Sequence, residues 1–180
     1  MKAKNIIMFI AVIIVGGVLG VISKYGDVAI MGTLSGNIMS ALGNLTSALF
    51  IWIAACMIIA VYSEKRMNAA INVLAFLLSM LVTYYLYSKL VVGYLAIKVV
   101  AFWGVMLIPS AILAYFIWGM RENKKLRKIV LIISAIEMVF DIFILQGADL
   151  IALLITALIF IVMLICVLFK TKKTHSTKCA

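Results

Sequence analysis

The chain has 180 residues, 67% of them hydrophobic and only 12% charged, with a mean hydropathy of +1.28. A soluble domain carries about half apolar and roughly a quarter charged residues, and a fold of this length could not hide so much apolar surface from water. The net charge of +10 would suggest nucleic acid in a soluble protein, but these cations cluster between apolar runs. Membrane orientation and anionic lipid explain that placement, so the expected partner is a lipid bilayer and not nucleic acid.

A membrane helix needs roughly 20 mostly apolar residues. Six runs qualify, at about 5–23, 45–63, 67–88, 99–119, 129–146 and 150–169. They predict an all-α, polytopic transmembrane helix bundle of six spans, with residues 1–170 as a single domain and 171–180 as a basic tail. Lys2 and Lys4 before the first run resemble the start of a signal peptide, but the run is long and lacks a small-residue cleavage site, so it reads as a retained helix. Segment 27–44 is shorter and rich in Gly, Ser and Asn. Met31, Leu34, Ile38 and Leu42 fall at helical spacing, while Gly32, Gly36 and Ser40 form a small-residue stripe on another face. An outer-surface or re-entrant helix between spans 1 and 2 is expected there.

Basic residues fix the orientation. Lys2 and Lys4, Lys65 and Arg66, the run from Arg121 to Lys128, and Lys170 to Lys178 put thirteen cations on one side. Lys24, Lys89 and Lys98 put three on the other. The cation-rich side of such a protein is cytoplasmic. A multi-pass protein of the bacterial cytoplasmic membrane, with both ends inside the cell, is the expectation.

In the first span Gly16 and Gly20 form a GxxxG, the spacing that lets two helix backbones approach closely. A helix contact inside the chain or a homodimer would use it. The third span carries Asn68 and Asn72 one turn apart, followed by Ser79, Thr83 and Tyr84. These groups suit either interhelical hydrogen bonds or solute contact. Tyr84, Tyr85, Tyr87 and Tyr94, with Trp103, crowd the outer boundary as an aromatic belt would. In the fourth span Pro109 removes one backbone hydrogen bond.

The sharpest polar feature is Glu137 and Asp141 in the fifth span, four residues apart on one helical face, with Ser134 three residues earlier. A charge at a helix centre costs roughly 2.5–3.5 kcal/mol on insertion scales, so such groups are expected to face the bundle interior or a water-filled cavity. Coupling to protons or cations, or recognition of a cationic solute, is the functional reading; a hydrogen-bonded packing network is the structural one. Lys98 is the natural partner of the pair, and Lys89 a second. The site candidates are therefore Glu137, Asp141, Lys98, Asn72, Asn68 and Tyr84.

Cys56, Cys166 and Cys179 have no metal-ligand or disulfide spacing, and His175 is the only histidine. No Walker A, HExxH or GxSxG motif occurs. No catalytic residue, metal or cofactor is expected, and an enzyme is disfavoured.

Several short pieces resemble a pattern of uncharacterised small six-helix bacterial membrane proteins. They are Gly26-Asp27, Gly43-Asn44-Leu45-Thr46-Ser47, Trp52, Ala69-Ala70 with Asn72-Val73, and Tyr84-Tyr85, with Trp103 and Trp118-Gly119 continuing it. That resemblance implies a six-helix bundle and no activity. In architecture the chain is also similar to the substrate-binding subunits of energy-coupling-factor transporters, with segment 24–44 in the place of a gating loop. Gly16-x-x-x-Gly20 stands where that family has Ala-x-x-x-Ala. Two readings follow: binding or transport of an unknown small-molecule solute, or a non-transporting scaffold, assembly or immunity-type protein with a membrane partner.

Overall fold

The computed structural model describes residues 3–29, 32–145 and 150–178. It is all-helical, with no strand among the described residues. Seven α-helices follow in order: α1 (Ala3–Asp27), α2 (Leu34–Ser47), α3 (Leu49–Tyr62), α4 (Arg66–Tyr87), α5 (Ile97–Ile117), α6 (Lys124–Phe140) and α7 (Leu150–Lys178). A π-helical turn, Ser88–Val92, extends α4; a 3-10 turn, Trp118–Arg121, extends α5; and a second π-helical turn, Asp141–Leu145, extends α6. Among the described residues, four helical segments, Lys4–Asp27, Arg66–Val92, Ile97–Arg121 and Leu154–Thr171, are long and apolar enough to cross a membrane.

Helix positions follow the apolar runs, but three boundaries differ for identifiable reasons. The run at 45–63 is two helices: Ala48 is extended (φ −64°, ψ 131°), so α2 ends at Ser47 and α3 begins at Leu49. The basic stretch 124–128 belongs to the first turns of α6 and not to a loop. Asn123 caps that helix, its side chain accepting from the Lys125 N–H at 2.9 Å and the Leu126 N–H at 3.2 Å. The helix that begins at Leu150 runs on through 170–178, where a separate tail was expected.

The described contacts divide the chain into two compact units, one of residues 1–47 and 71–112 and the other of residues 48–70 and 113–180. The first unit closes on small residues. A side chain at Gly16 would collide with the Phe76 carbonyl and the Ser79 hydroxyl, and one at Gly20 with the Thr83 hydroxyl and the Met80 carbonyl. The GxxxG face of α1 is thus occupied by α4. Thr83 seals the contact, its Oγ1 donating to the Gly17 carbonyl at 2.9 Å. Gly26 and Gly43 likewise bring the backbones of α1 and α2 together. Of the predicted small-residue stripe, Ser40 is buried, whereas Gly32 precedes α2 with open space around it; Leu34 is 81% exposed, and Ile38 and Leu42 are also exposed. Met31 of that apolar stripe lies outside the described residues.

The second unit closes on large side chains. Phe50, Ala54, Met57 and Val61 share one face of α3 and pack with Met120 of the 3-10 turn and Met163 and Val167 of α7. Outward positions are also apolar: Ile132, Ile133 and Ile136 on α6, and Leu158, Ile161 and Ile165 on α7, are all exposed.

Candidate functional site

The polar centre of the second unit is built on α6. Ser134 is buried, and its hydroxyl donates to the Val130 carbonyl at 2.9 Å and lies 3.1 Å from the Met57 sulfur of α3. That contact fixes which face of α6 points inward. Glu137 and Asp141, three and seven residues further on, repeat on the same face at 3.6 residues per turn. Asp141 is 0% exposed. It also opens the π-helical turn, and its backbone N–H reaches the carbonyls of Glu137 and Met138. Such turns widen a helix locally and recur at functional sites.

Both carboxylate oxygens of Glu137 are buried without a hydrogen-bond partner among the described residues. The same holds for Oγ1 of Thr156, a residue with no exposed surface. Helix α7 packs against α6 and against the π-helical turn that follows it. A buried polar group lacking a partner costs about 1–3 kcal/mol, and a charged one more. Oxygen donors of this kind suit a proton, a hard cation or a protonated amine. No group of three or more His, Cys, Asp or Glu side chains gathers among the described residues.

The remaining candidates are distributed between the units. Asn68 is half-buried in the second unit, near the start of α4. Asn72, Tyr84 and Lys98 belong to the first, where Asn72 is buried and Lys98 is exposed at the start of α5. Tyr84 has a defined role in packing. Its hydroxyl donates to Oδ2 of Asp27 at 2.5 Å, and the Lys24 ammonium sits 5.0 Å from its ring centroid. Tyr85 meets the Tyr84 ring edge-on, and Tyr25 meets Tyr87 in the same way. This latch joins the last turns of α1 and α4. Sequence reading weighed Tyr84 for a site or a belt and passed over Asp27 as its partner; the lone acid three residues after Lys24 was the available signal. Thr156 was missed too, although it is an isolated hydroxyl in an apolar run.

Two surface concavities are described. One, of about 420 Å³, lies along α1 beside Ile14, Gly17, Val21 and Thr83. The other, of about 500 Å³, lies at the basic end of the second unit, among Arg66, Glu122 and Lys124. Neither has Glu137 or Asp141 in its wall.

Compared with known proteins, the chain matches no family model, no curated protein and no solved structure.

Proposed function

We propose that the chain is a six-span protein of the bacterial cytoplasmic membrane, both ends cytoplasmic, that binds or carries a small solute at the Glu137–Asp141 face of α6. Four long apolar helices and apolar outward faces on both units support a lipid environment. Helix α3 has 14 residues, about 21 Å against a hydrocarbon layer of about 30 Å. The six-span count therefore rests on the alternation of charge, thirteen cations against three, more than on helix length.

One observation carries the functional reading: Glu137 keeps both oxygens buried with no hydrogen-bond donor among the described residues. An intramembrane carboxylate in that condition is completed by a proton, a cation or a cationic group of a solute. Asp141 one turn on, and the Thr156 hydroxyl on the helix packed against α6, are the further oxygens offered to the same ligand. The architectural similarity to energy-coupling-factor substrate-binding subunits fits this reading but adds no ligand. A scaffold or assembly protein is the second reading, and it too rests on an observation. The inward face of α6 is tightly packed at Ser134, and neither surface concavity reaches the carboxylates.

Uptake separates the two. Cells producing the chain are assayed across vitamins, amino acids and organic cations. Solute binding or transport predicts that the wild type accumulates at least one solute and that Glu137→Gln abolishes this at an unchanged membrane level. A Glu137→Gln variant that accumulates the solute as well as the wild type removes the carboxylate from the mechanism. No accumulation of any solute by the wild type favours the scaffold.

A further inference from the structure

The basic end of the second unit is a second place where chemistry collects, and the carboxylate site does not use it. Ser63, which ends α3, is buried and offers its carbonyl to Trp118 Nε1 at 2.9 Å and to Arg121 Nη1 at 2.7 Å. Those two bonds tie the 3-10 turn to the end of α3. Arg66, at the start of α4, lies over the rings of Trp118 at 5.5 Å and Tyr115 at 5.9 Å. The Arg121 guanidinium covers Trp118 at 4.9 Å. These cation–π contacts place the Arg66 guanidinium at the rim of the 500 Å³ pocket.

The pocket wall has three cations, Arg66, Lys124 and Lys125, against one acid, Glu122. Arg66 and Glu122 approach to 3.8 Å with both side chains more than a third exposed. A pair so long and so wet contributes little and yields readily to a better acceptor. The start of α6 is not itself the attractor, because the Asn123 side chain already takes the Lys125 and Leu126 N–H groups. Recognition falls to the side chains.

Apolar surface leads away from this charge. Phe116, in the pocket wall, is 60% exposed. Leu113 on α5, Met67 on α4 and Ile129 on α6 are exposed as well. A lipid held by its headgroup would place its own acyl chains against those faces, which a soluble anion or an acidic peptide in the pocket would not contact. Tyr115 and Trp118 sit at the junction, as interfacial aromatic residues do.

We infer that this pocket binds the phosphodiester headgroup of an anionic phospholipid of the cytoplasmic leaflet. Arg66, Lys124 and Lys125 pair with the phosphate, and the acyl chains run along Phe116 and Leu113. The inference rests on the membrane reading and is independent of any solute at Glu137. Recovery of the chain from the soluble fraction without detergent would remove the membrane reading; the titration below tests the lipid site alone.

The detergent-purified full chain is titrated with phosphatidylglycerol, with zwitterionic phosphatidylcholine and with soluble glycerol phosphate, and binding is read by native mass spectrometry and thermal shift. Phosphatidylglycerol is expected to bind saturably and raise the melting temperature, and the other two are not. The double variant Lys124→Gln/Lys125→Gln is expected to lose roughly 30-fold in affinity, from about one lipid contact per lysine. The charge-matched Arg127→Gln/Lys128→Gln, outside the pocket wall, is expected to lose no more than about 3-fold. Arg66→Lys keeps the charge and the fold but removes the stacked planar fork, and its affinity is expected to fall several-fold. Equal losses in the two double variants would reduce the site to bulk electrostatics and overturn it. So would equal binding of phosphatidylcholine, or full displacement by glycerol phosphate at matched concentration.

Discussion

The two units differ in how completely their buried polar groups are matched. In the first, helices approach until backbones touch at Gly16, Gly20, Gly26 and Gly43, and the polar groups along the seam are matched: Thr83 to the Gly17 carbonyl, Tyr84 to Asp27, Lys24 to the Tyr84 ring. In the second, bulky Phe50, Met57 and Met163 fill the core, and the Glu137 carboxylate and the Thr156 hydroxyl find no hydrogen-bond partner among the described residues. In an apolar surrounding a matched group contributes to packing, whereas an unmatched one costs stability unless something else completes it. The second unit also holds matched groups, such as the Ser63 carbonyl with Trp118 and Arg121, so the contrast rests on Glu137 and Thr156.

The sharpest way to break the contrast is steric. Gly16→Ala places a methyl group on the Phe76 carbonyl and is expected to destabilise by about 2 kcal/mol through overpacking. Gly17→Ala meets only the Thr83 methyl at 3.5 Å, an ordinary contact, and is expected to shift stability by less than about 0.5 kcal/mol. Thermal unfolding in detergent compares them, and equal losses would mean that the α1–α4 seam is not tight at Gly16. Next in size is Tyr84→Phe. It removes a hydrogen bond to a carboxylate at an exposed end of the bundle, with an expected loss of about 1 kcal/mol after solvent screening. Smallest is Thr156→Val in the second unit. It deletes an unmatched hydroxyl at nearly constant volume, so stability is expected to stay level or rise by up to about 1 kcal/mol, while ligand binding weakens. A loss comparable to that of Tyr84→Phe would show Thr156 to be matched after all and would erase the difference between the units.

Much of the helical layout was legible because apolar run length and helix length answer to the same constraint. The third run, 67–88, and α4, Arg66–Tyr87, nearly coincide. What escaped depended on local backbone or on tertiary partners. The break at Ala48 follows Thr46 and Ser47, with no Pro or charge to announce it. The early start of α6 was announced by Asn123, but the lysines behind it read more strongly as a loop. The pairing of Glu137 with Asp141 on one face follows from periodicity alone, and Ser134 against Met57 supplies its direction. Tyr84–Asp27 spans 57 positions and becomes visible only once α1 and α4 are packed.

The most direct test of the carboxylate site is ligand-dependent thermal stabilisation of the purified wild type and Glu137→Gln, scanned over sodium, organic cations, vitamins and amino acids at several pH values. A ligand at about one hundred times its Kd should stabilise the wild type by about 2.7 kcal/mol. For a cation the effect should weaken as acid protons compete for the same oxygens, and Glu137→Gln should abolish it. Equal stabilisation of both proteins, or none by any compound at any pH, would contradict the assignment.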